Sequence, residues 1–220
     1  MLDVRAERVF SKPKIKMAGK RPVLRDPASV DSVVLHQCAV TYGLTARQLR
    51  AAGGDRQRAL ATRALNVACH TLAFRDGFFV ACCPLRVYVQ GANGLNPRAL
   101  HLETDGLYSG LRDDPTTAPR EDLQTTAGTP CEVTPAIILA GQSALRWLVL
   151  EGRAEGMPID RLWAHRQSSP TRRADPGEAL WQSIAEPIAA ELGLRIDYAA
   201  TLGDGRPIPV EWSPRGVGRY

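Results

Sequence analysis

The chain has 220 residues, of which 44% are hydrophobic and 23% are charged, and its formal net charge at pH 7 is +5. This composition supports one domain with a substantial core and excludes a chain that is disordered throughout. No apolar run approaches the roughly 18 residues that a membrane span requires, and the N-terminus lacks the apolar segment of a signal peptide. We therefore expect synthesis in the cytoplasm without an N-terminal signal peptide.

The positive charge is concentrated at the start of the chain. Residues 1–26 carry eight basic and three acidic side chains and include all four lysines, whereas the remainder carries 20 of each sign. We predict a solvated basic N-terminal arm over residues 1–27. Such an arm suits an anionic polymer, a membrane surface or a protein partner. Because it has neither aromatic interleaving nor a nucleic-acid motif, we expect no nucleic-acid partner.

The first candidate strand, residues 31–38, ends close to a histidine. Val33, Val34 and Leu35 form a continuous apolar run, which is typical of a strand that is covered on both faces. His36 follows this run, and functional side chains tend to emerge at strand ends in α/β sheets. The pattern leaves two possibilities for His36, namely a site residue or a histidine packed in the core.

Two helices and a hairpin are predicted next. Thr45 and Asp55 are typical N-caps, and Asp76-Gly77 is a turn signal between apolar flanks. The five cysteines, including vicinal Cys82-Cys83, have no framework spacing, so we expect them to be reduced and structural. The predicted elements are a helix over residues 45–52, a helix over residues 55–68 and a hairpin over residues 69–83.

A further strand is predicted over residues 98–103. Its residues alternate, with Leu100 and Leu102 on one face and His101 and Glu103 on the other. A buried carboxylate is costly unless a cation or a hydrogen-bond donor meets it, which makes Glu103 a candidate for a functional role. His101 either lines a cleft beside it or packs in the core.

An insertion, a strand and two helices complete the predicted domain. Residues 106–133 are rich in Asp, Thr, Pro and Gly and predict a long surface loop. Thr134 is then a typical N-cap, with Pro135 in the first turn. We predict one domain over residues 28–195, with this insertion at about 106–133. Its last elements are a helix to about residue 151, a strand over residues 159–165 and a helix over residues 178–192, before a Gly- and Pro-rich tail over residues 196–220.

The stretch from Trp163 to Trp181 has the pattern of half a metal site. His165 ends an apolar run, a polar loop follows, and Asp175-Pro176-Gly177 precedes the closing helix. A neutral imidazole and a carboxylate ten positions apart can meet at one metal ion if the loop between them folds back. A zinc site that keeps one position open takes about three protein ligands. The pattern therefore calls for a third ligand elsewhere in the chain.

Together these motifs resemble the zinc-dependent N-acetylmuramoyl-L-alanine amidases of the amidase-2 and peptidoglycan-recognition-protein family. The resemblance covers roughly residues 32–192 and implies an α/β fold in which helices flank a central mixed β-sheet. The segments that carry it are Val-Val-Leu-His36, Cys-His70 with Arg75-Asp76-Gly77, Leu-His-Leu-Glu103, and Ala-His165 followed by Asp175-Pro176-Gly177.

The resemblance also implies roles for individual residues. His36, His165 and Asp175 match the Zn²⁺ ligands of the family, and Glu103 matches its general base. Arg173 stands two residues before the ligand aspartate, where the family often has a lysine that stabilises the oxyanion. Arginine keeps the positive charge there but changes its geometry. His70 resembles a family histidine that lies near the metal without binding it.

The implied activity is hydrolysis of the amide between the lactyl group of N-acetylmuramic acid and L-alanine of the stem peptide. We expect a monomer that acts on the cell wall or its fragments, with peptidoglycan or muropeptides as partners. A phage-type lysin, a delivered effector and a wall-recycling enzyme all fit. Two alternatives are a non-catalytic peptidoglycan-binding module on the same fold and a thiol hydrolase that uses Cys38 or Cys69 with a histidine.

Overall fold

The structure is a computed structural model and describes residues 1–8, 10, 14–118 and 129–214. Its main sheet consists of six strands, with a separate antiparallel ribbon beside it. The strands of the main sheet are β1 (Leu2–Asp3), β4 (Ser32–Gln37), β5 (Thr71–Ala73), β6 (Phe79–Ala81), β7 (Ala99–Thr104) and β8 (Arg161–Ala164), and those of the ribbon are β2 (Met17–Ala18) and β3 (Arg21–Pro22).

The order of strands in the main sheet is β1-β6-β5-β7-β4-β8. β4 runs parallel to both β7 and β8, and β5 runs parallel to β7, whereas β5 and β6 form an antiparallel hairpin. The sheet is therefore mixed, and the carboxyl ends of β4, β7 and β8 meet at one edge. In open α/β sheets this edge is where ligands bind.

Helices cover both faces of the sheet, which confirms the predicted α/β fold with a central mixed sheet. The N-caps Thr45, Asp55 and Thr134 each accept a hydrogen bond from a backbone N–H of the first turn, as their sequence positions predict. The helices are α1 (Ala46–Ala51), α2 (Arg56–Ala64), α3 (Pro135–Ala154), α4 (Glu178–Leu180) and α5 (Glu186–Leu192), with a π-helix (Trp181–Ala185) between α4 and α5.

The core lies on both sides of the sheet. One cluster packs Leu35, Leu102 and Leu145 with the closing helices, and a second cluster packs Leu60 of α2 against Leu72 of β5. This burial on both faces explains why β4 reads as a continuous apolar run. Among the described residues, no helix is long and apolar enough to cross a membrane. All five cysteines are free thiols, as expected.

The start of the chain differs from the predicted solvated arm. Leu2 and Asp3 pair in parallel with β6, and Val4 is only 2% exposed. Ile15 is fully buried and bridges Val89. The expectation of a solvated extension is therefore wrong for the described part of residues 1–27, because its apolar residues complete one edge of the domain. The three-part division of the chain is still a prediction.

The insertion and the tail also contribute to the body of the domain. Leu107 and Tyr108 are buried, so the predicted insertion is not wholly a surface loop. Its residues 119–128 lie outside the described residues. Trp212 of the tail is fully buried in the main core cluster, which fits a tail that wraps the domain without a core of its own.

Candidate metal centre

Three parallel strands and one loop bring the candidate site residues to the same edge of the sheet. His36 and Glu103 are register partners near the ends of β4 and β7. His165 directly follows β8. Asp175 returns to this edge on the loop before α4. Residues that are far apart in the sequence thus meet because parallel strands end together.

The three predicted metal ligands lie in contact. His36 Nδ1 is 2.9 Å from His165 Nδ1, and His165 Nδ1 is 2.9 Å from Asp175 Oδ2. One possible ligand atom from each residue falls within 4.8 Å of the other two, and all three residues are buried. Burial lowers the pKa of His36, and the nearby His165 and His101 lower it further. His36 is therefore neutral, which is the form that binds metals.

The donor set fits a zinc ion. Two imidazoles and a carboxylate are a usual set for a catalytic zinc site with an open position. Tetrahedral ligands at about 2.0–2.1 Å from zinc stand about 3.4 Å apart, so the two 2.9 Å separations need to open by only about half an ångström. Asp175 Oδ1 accepts the backbone N–H of Gln37 at 2.9 Å, which leaves Oδ2 on the side of the histidines.

Glu103 lies beside this group with the properties of an acid–base residue. Its Oε1 is 3.8 Å from His36 Nδ1, and its side chain is 14% exposed. Its Oε2 is buried and has no hydrogen-bond partner among the described residues. Burial and, to a lesser extent, the charge of Asp175 raise the pKa of Glu103 to about 8. Such a perturbed carboxyl in a cleft is typical of a group that exchanges protons with substrate.

A cavity of about 210 Å³ opens in front of these residues. Glu103, His165 and Asp175 line it together with Arg172, which is half-buried. Arg173, the predicted oxyanion partner, is exposed, and its carbonyl accepts a hydrogen bond from Arg166. Among the described residues, the arginine that lines the cavity is therefore Arg172, whereas the sequence motif points to Arg173.

Gln37 is a site residue that the sequence motifs do not single out. Its side-chain amide donates to the carbonyls of Ala174 (2.7 Å), Tyr108 (3.0 Å) and Pro176 (3.1 Å), and its Oε1 accepts the N–H of Tyr108 at 2.6 Å. These bonds hold the loop that carries Asp175 against β4. The one sequence signal for Gln37 was a polar residue directly after His36 at the end of a buried strand, and that signal identifies no partner.

The four histidines of the chain form one buried row. His101 Nδ1 lies 3.1 Å from His36 Nε2, on the side of His36 away from His165. His70 stacks on His101, with ring centroids 5.6 Å apart and an interplanar angle of 9°. His70 lies outside the group of possible metal ligands. The role that the sequence resemblance implies for His70, near the metal without binding it, is still a prediction.

The cysteine nearest to the site does not have the properties of a nucleophile. Cys38 lines the cavity, but burial raises the pKa of its thiol well above the usual value, and the charge of Glu103 raises it further. Cys69 is fully buried, and burial raises the pKa of its thiol as well. Reactive cysteines have lowered pKa values, so neither residue favours a thiol hydrolase.

No protein-family model matches the sequence, and no curated protein matches it. Solved structures do resemble the chain. N-acetylmuramoyl-L-alanine amidase LysC from Clostridium intestinale URNW is 16% identical, with 88% of this chain and 97% of that chain covered and a TM-score of 0.47. Drosophila PGRP-LB is 17% identical, with 88% and 95% covered and a TM-score of 0.49.

Peptidoglycan recognition protein-LE, in complex with tracheal cytotoxin, is 16% identical, with 89% of this chain and 95% of that chain covered and a TM-score of 0.48. The chain thus resembles N-acetylmuramoyl-L-alanine amidases and peptidoglycan recognition proteins, as its motifs predict. At these identities and scores the likeness carries no information about activity. The function proposed below rests on the chain's own residues.

Proposed function

We propose that this protein is a zinc-dependent hydrolase of the amide between N-acetylmuramic acid and L-alanine in peptidoglycan or its fragments. One observation carries this proposal: His36, His165, Asp175 and Glu103 meet at the carboxyl edge of the sheet, where the last three of them line one cavity. The sequence motifs that resemble the amidase-2 family supply the substrate class. A phage-type lysin, an effector and a recycling enzyme are all consistent with this chemistry.

His36, His165 and Asp175 would hold the ion. When bound, zinc supplies a Lewis acid that polarises the scissile carbonyl and lowers the pKa of a water molecule to about 7. Asp175 Oδ2 and the two Nδ1 atoms are the donors on the chain. The neutral state of His36 and the hydrogen bond from Gln37 to Asp175 Oδ1 orient these donors before any ion arrives.

Glu103 moves the proton in the proposed reaction. Its carboxylate, the form that the charge of a bound zinc ion would favour, takes a proton from the attacking water and passes it to the amine nitrogen of L-alanine as the amide C–N bond breaks. Its Oε1 is the oxygen beside the candidate ligands, 3.8 Å from His36 Nδ1. Arg172 on the cavity wall supplies a positive charge for the oxyanion that forms on the carbonyl oxygen. The sequence-based assignment of this role to Arg173 is the alternative.

A non-catalytic peptidoglycan-binding module is the competing function. Both functions require the fold and a cleft, but a binding module has no need of a carboxylate beside the metal ligands. Glu103 therefore separates the two. We expect Glu103→Gln to bind zinc as the wild type does and to lose cleavage, because the amide cannot accept the proton from water.

The experiment is digestion of purified sacculi by the zinc-loaded full-length protein, followed by mass spectrometry of the products. We expect free stem peptides with an N-terminal alanine, and their loss with a chelator or in Glu103→Gln. Glu155→Gln is the matched control, because Glu155 is an exposed residue at the end of α3. A wild-type protein that binds equimolar zinc and sacculi but releases no stem peptide would establish the binding module instead.

A further inference from the structure

The two ring nitrogens of His36 face different partners. Nδ1 is on the side of the candidate metal ligands, 2.9 Å from His165 Nδ1. Nε2 points the other way and lies 3.1 Å from His101 Nδ1. Both His36 and His101 are fully buried, so water does not compete for this contact. The contact between the two rings is therefore shielded from solvent.

The contact permits one proton arrangement if His36 binds a metal. A neutral imidazole carries one proton, and the nitrogen that binds a metal must offer its lone pair. With His36 Nδ1 as the ligand, the proton is on Nε2 and is donated to His101 Nδ1. His101 then carries its own proton on Nε2, a buried atom without a hydrogen-bond partner among the described residues. The reverse arrangement would place the His36 proton where the ion belongs.

His101 is itself held in place by a second histidine. The backbone N–H of His101 donates to His70 Nδ1 at 3.0 Å, and His70 Nε2 lies 3.2 Å from the carbonyl of Val87. These two bonds define the His70 tautomer, with its proton on Nε2. Arg25 donates to the Leu85 carbonyl at 2.7 Å, and its guanidinium, which can only donate, makes no hydrogen bond to the protonated Nε2 that lies 3.1 Å away. The two stacked rings are therefore held in place by hydrogen bonds to backbone groups.

On the opposite side, the His101 ring fits only because residue 91 is a glycine. A Cβ atom at Gly91 would lie 3.1 Å from His101 Nδ1 and 2.8 Å from the Ala68 carbonyl. Both separations are tighter than ordinary van der Waals contacts. The position of His101 is thus determined from two sides, and Nδ1, the atom that faces His36, is the one that Gly91 accommodates.

We propose that His101 is a positioning residue that fixes the metal-binding tautomer of His36 by accepting the hydrogen bond from its Nε2–H. This inference rests on the proposed zinc site. Outer hydrogen-bond partners of a metal-binding histidine orient the ring, and their loss typically weakens metal affinity by about 10–100-fold. His101 therefore contributes to zinc affinity without touching the ion or the substrate.

Two substitutions separate this role from simple packing. His101→Phe keeps a ring of similar size but removes the acceptor, whereas His101→Asn is smaller and places Oδ1 close to the position of Nδ1. The readout is the zinc dissociation constant of the purified full-length protein, measured by competition with a chromophoric chelator at fixed pH. We expect His101→Phe to bind zinc about 10–100-fold more weakly, and His101→Asn to remain within a few-fold of the wild type.

A second readout is independent of zinc. Long-range ¹⁵N–¹H spectra of the metal-free protein report the tautomer of each histidine, and we expect His36 to carry its proton on Nε2 in the wild type and in His101→Asn. In His101→Phe we expect a mixture of the two tautomers. Far-UV circular dichroism of each metal-free variant verifies that it is folded.

Several results would overturn the inference. Wild-type affinity in His101→Phe would show that the acceptor is not needed, and equal losses in both variants would assign His101 to packing alone. The inference would also fail if His36 in the metal-free wild-type protein carried its proton on Nδ1. If the wild type binds no zinc, the proposed function fails, while the tautomer spectra still decide the role of His101.

Discussion

The backbone N–H of Gln37 donates a 2.9 Å hydrogen bond to Asp175 Oδ1, across 138 positions of sequence. This bond joins the strand that carries His36 to the loop that carries Asp175. The side chain of Gln37 adds bonds to the carbonyls of Ala174 and Pro176, on both sides of Asp175. One residue thus aligns the first and the last of the candidate ligands.

The first prediction concerns Gln37→Leu, which keeps the volume of the side chain but removes its amide. Buried backbone groups of Tyr108 and Ala174 lose their partners, and each unsatisfied group costs about 1–3 kcal/mol. We expect the free energy of unfolding to fall by roughly 2–4 kcal/mol and zinc affinity to fall with it. Urea unfolding and chelator competition measure the two effects. Gln57→Leu on the exposed face of α2 is the control, and comparable losses in both variants would contradict the prediction.

The second prediction concerns the metal-free protein between pH 6.5 and 8. The pKa of Glu103 is raised to about 8, so the folded protein holds a proton that the unfolded chain has released. Stability must then fall as pH rises, by up to about 1.4 kcal/mol per pH unit. Urea unfolding with a chelator present measures this slope. We expect the slope to be reduced by that amount in Glu103→Gln, and an unchanged slope would show that Glu103 ionises normally.

The third prediction concerns the stability of the metal-free protein at acidic pH. Burial lowers the pKa values of His36, His70 and His101 well below the usual value, so these rings stay neutral when folded and gain protons on unfolding. Stability is therefore lost as pH falls below about 6.5. Near pH 5.5 the three histidines together bind about three more protons in the unfolded state than in the folded state. The proton on folded Glu103 offsets one of them, which leaves a net difference of about two for these residues.

Unfolding free energies of the metal-free protein at several pH values near 5.5 give this proton count directly. The Glu103→Gln variant lacks the offsetting proton, so its slope should correspond to about three protons. A slope of one proton or less in that variant would mean that the buried histidines are charged in the folded state.

The fourth prediction compares the two neighbouring arginines. Arg172 lines the cavity, whereas Arg173 is exposed. If Arg172 stabilises the oxyanion, Arg172→Ala should lower kcat by about 10²-fold or more, and Arg173→Ala should change it by only a few-fold. Single-turnover cleavage of a soluble muropeptide measures both. The opposite ranking would restore the role that the sequence motif assigns to Arg173.

Local sequence signals were enough to locate most elements of the domain. Thr45, Asp55 and Thr134 cap the helices that they predict, and Gly77 has the positive φ of 86° that its turn requires. Each of these features depends on bonds within a few residues, so a short window of sequence contains the whole cause. The ordered histidine and carboxylate motifs likewise named the residues that meet at the sheet edge.

The sequence by itself determined the capped helices, and its resemblance to a family predicted the α/β class and the candidate ligands. Only the tertiary structure decided that Gln37 holds Asp175, that His101 faces His36 across 65 positions, and that the first residues pair with β6. It also decided which arginine lines the cavity. The physical reason is that these contacts join distant segments, and their geometry is set by strand register and loop path. No local pattern of residues encodes either of those quantities.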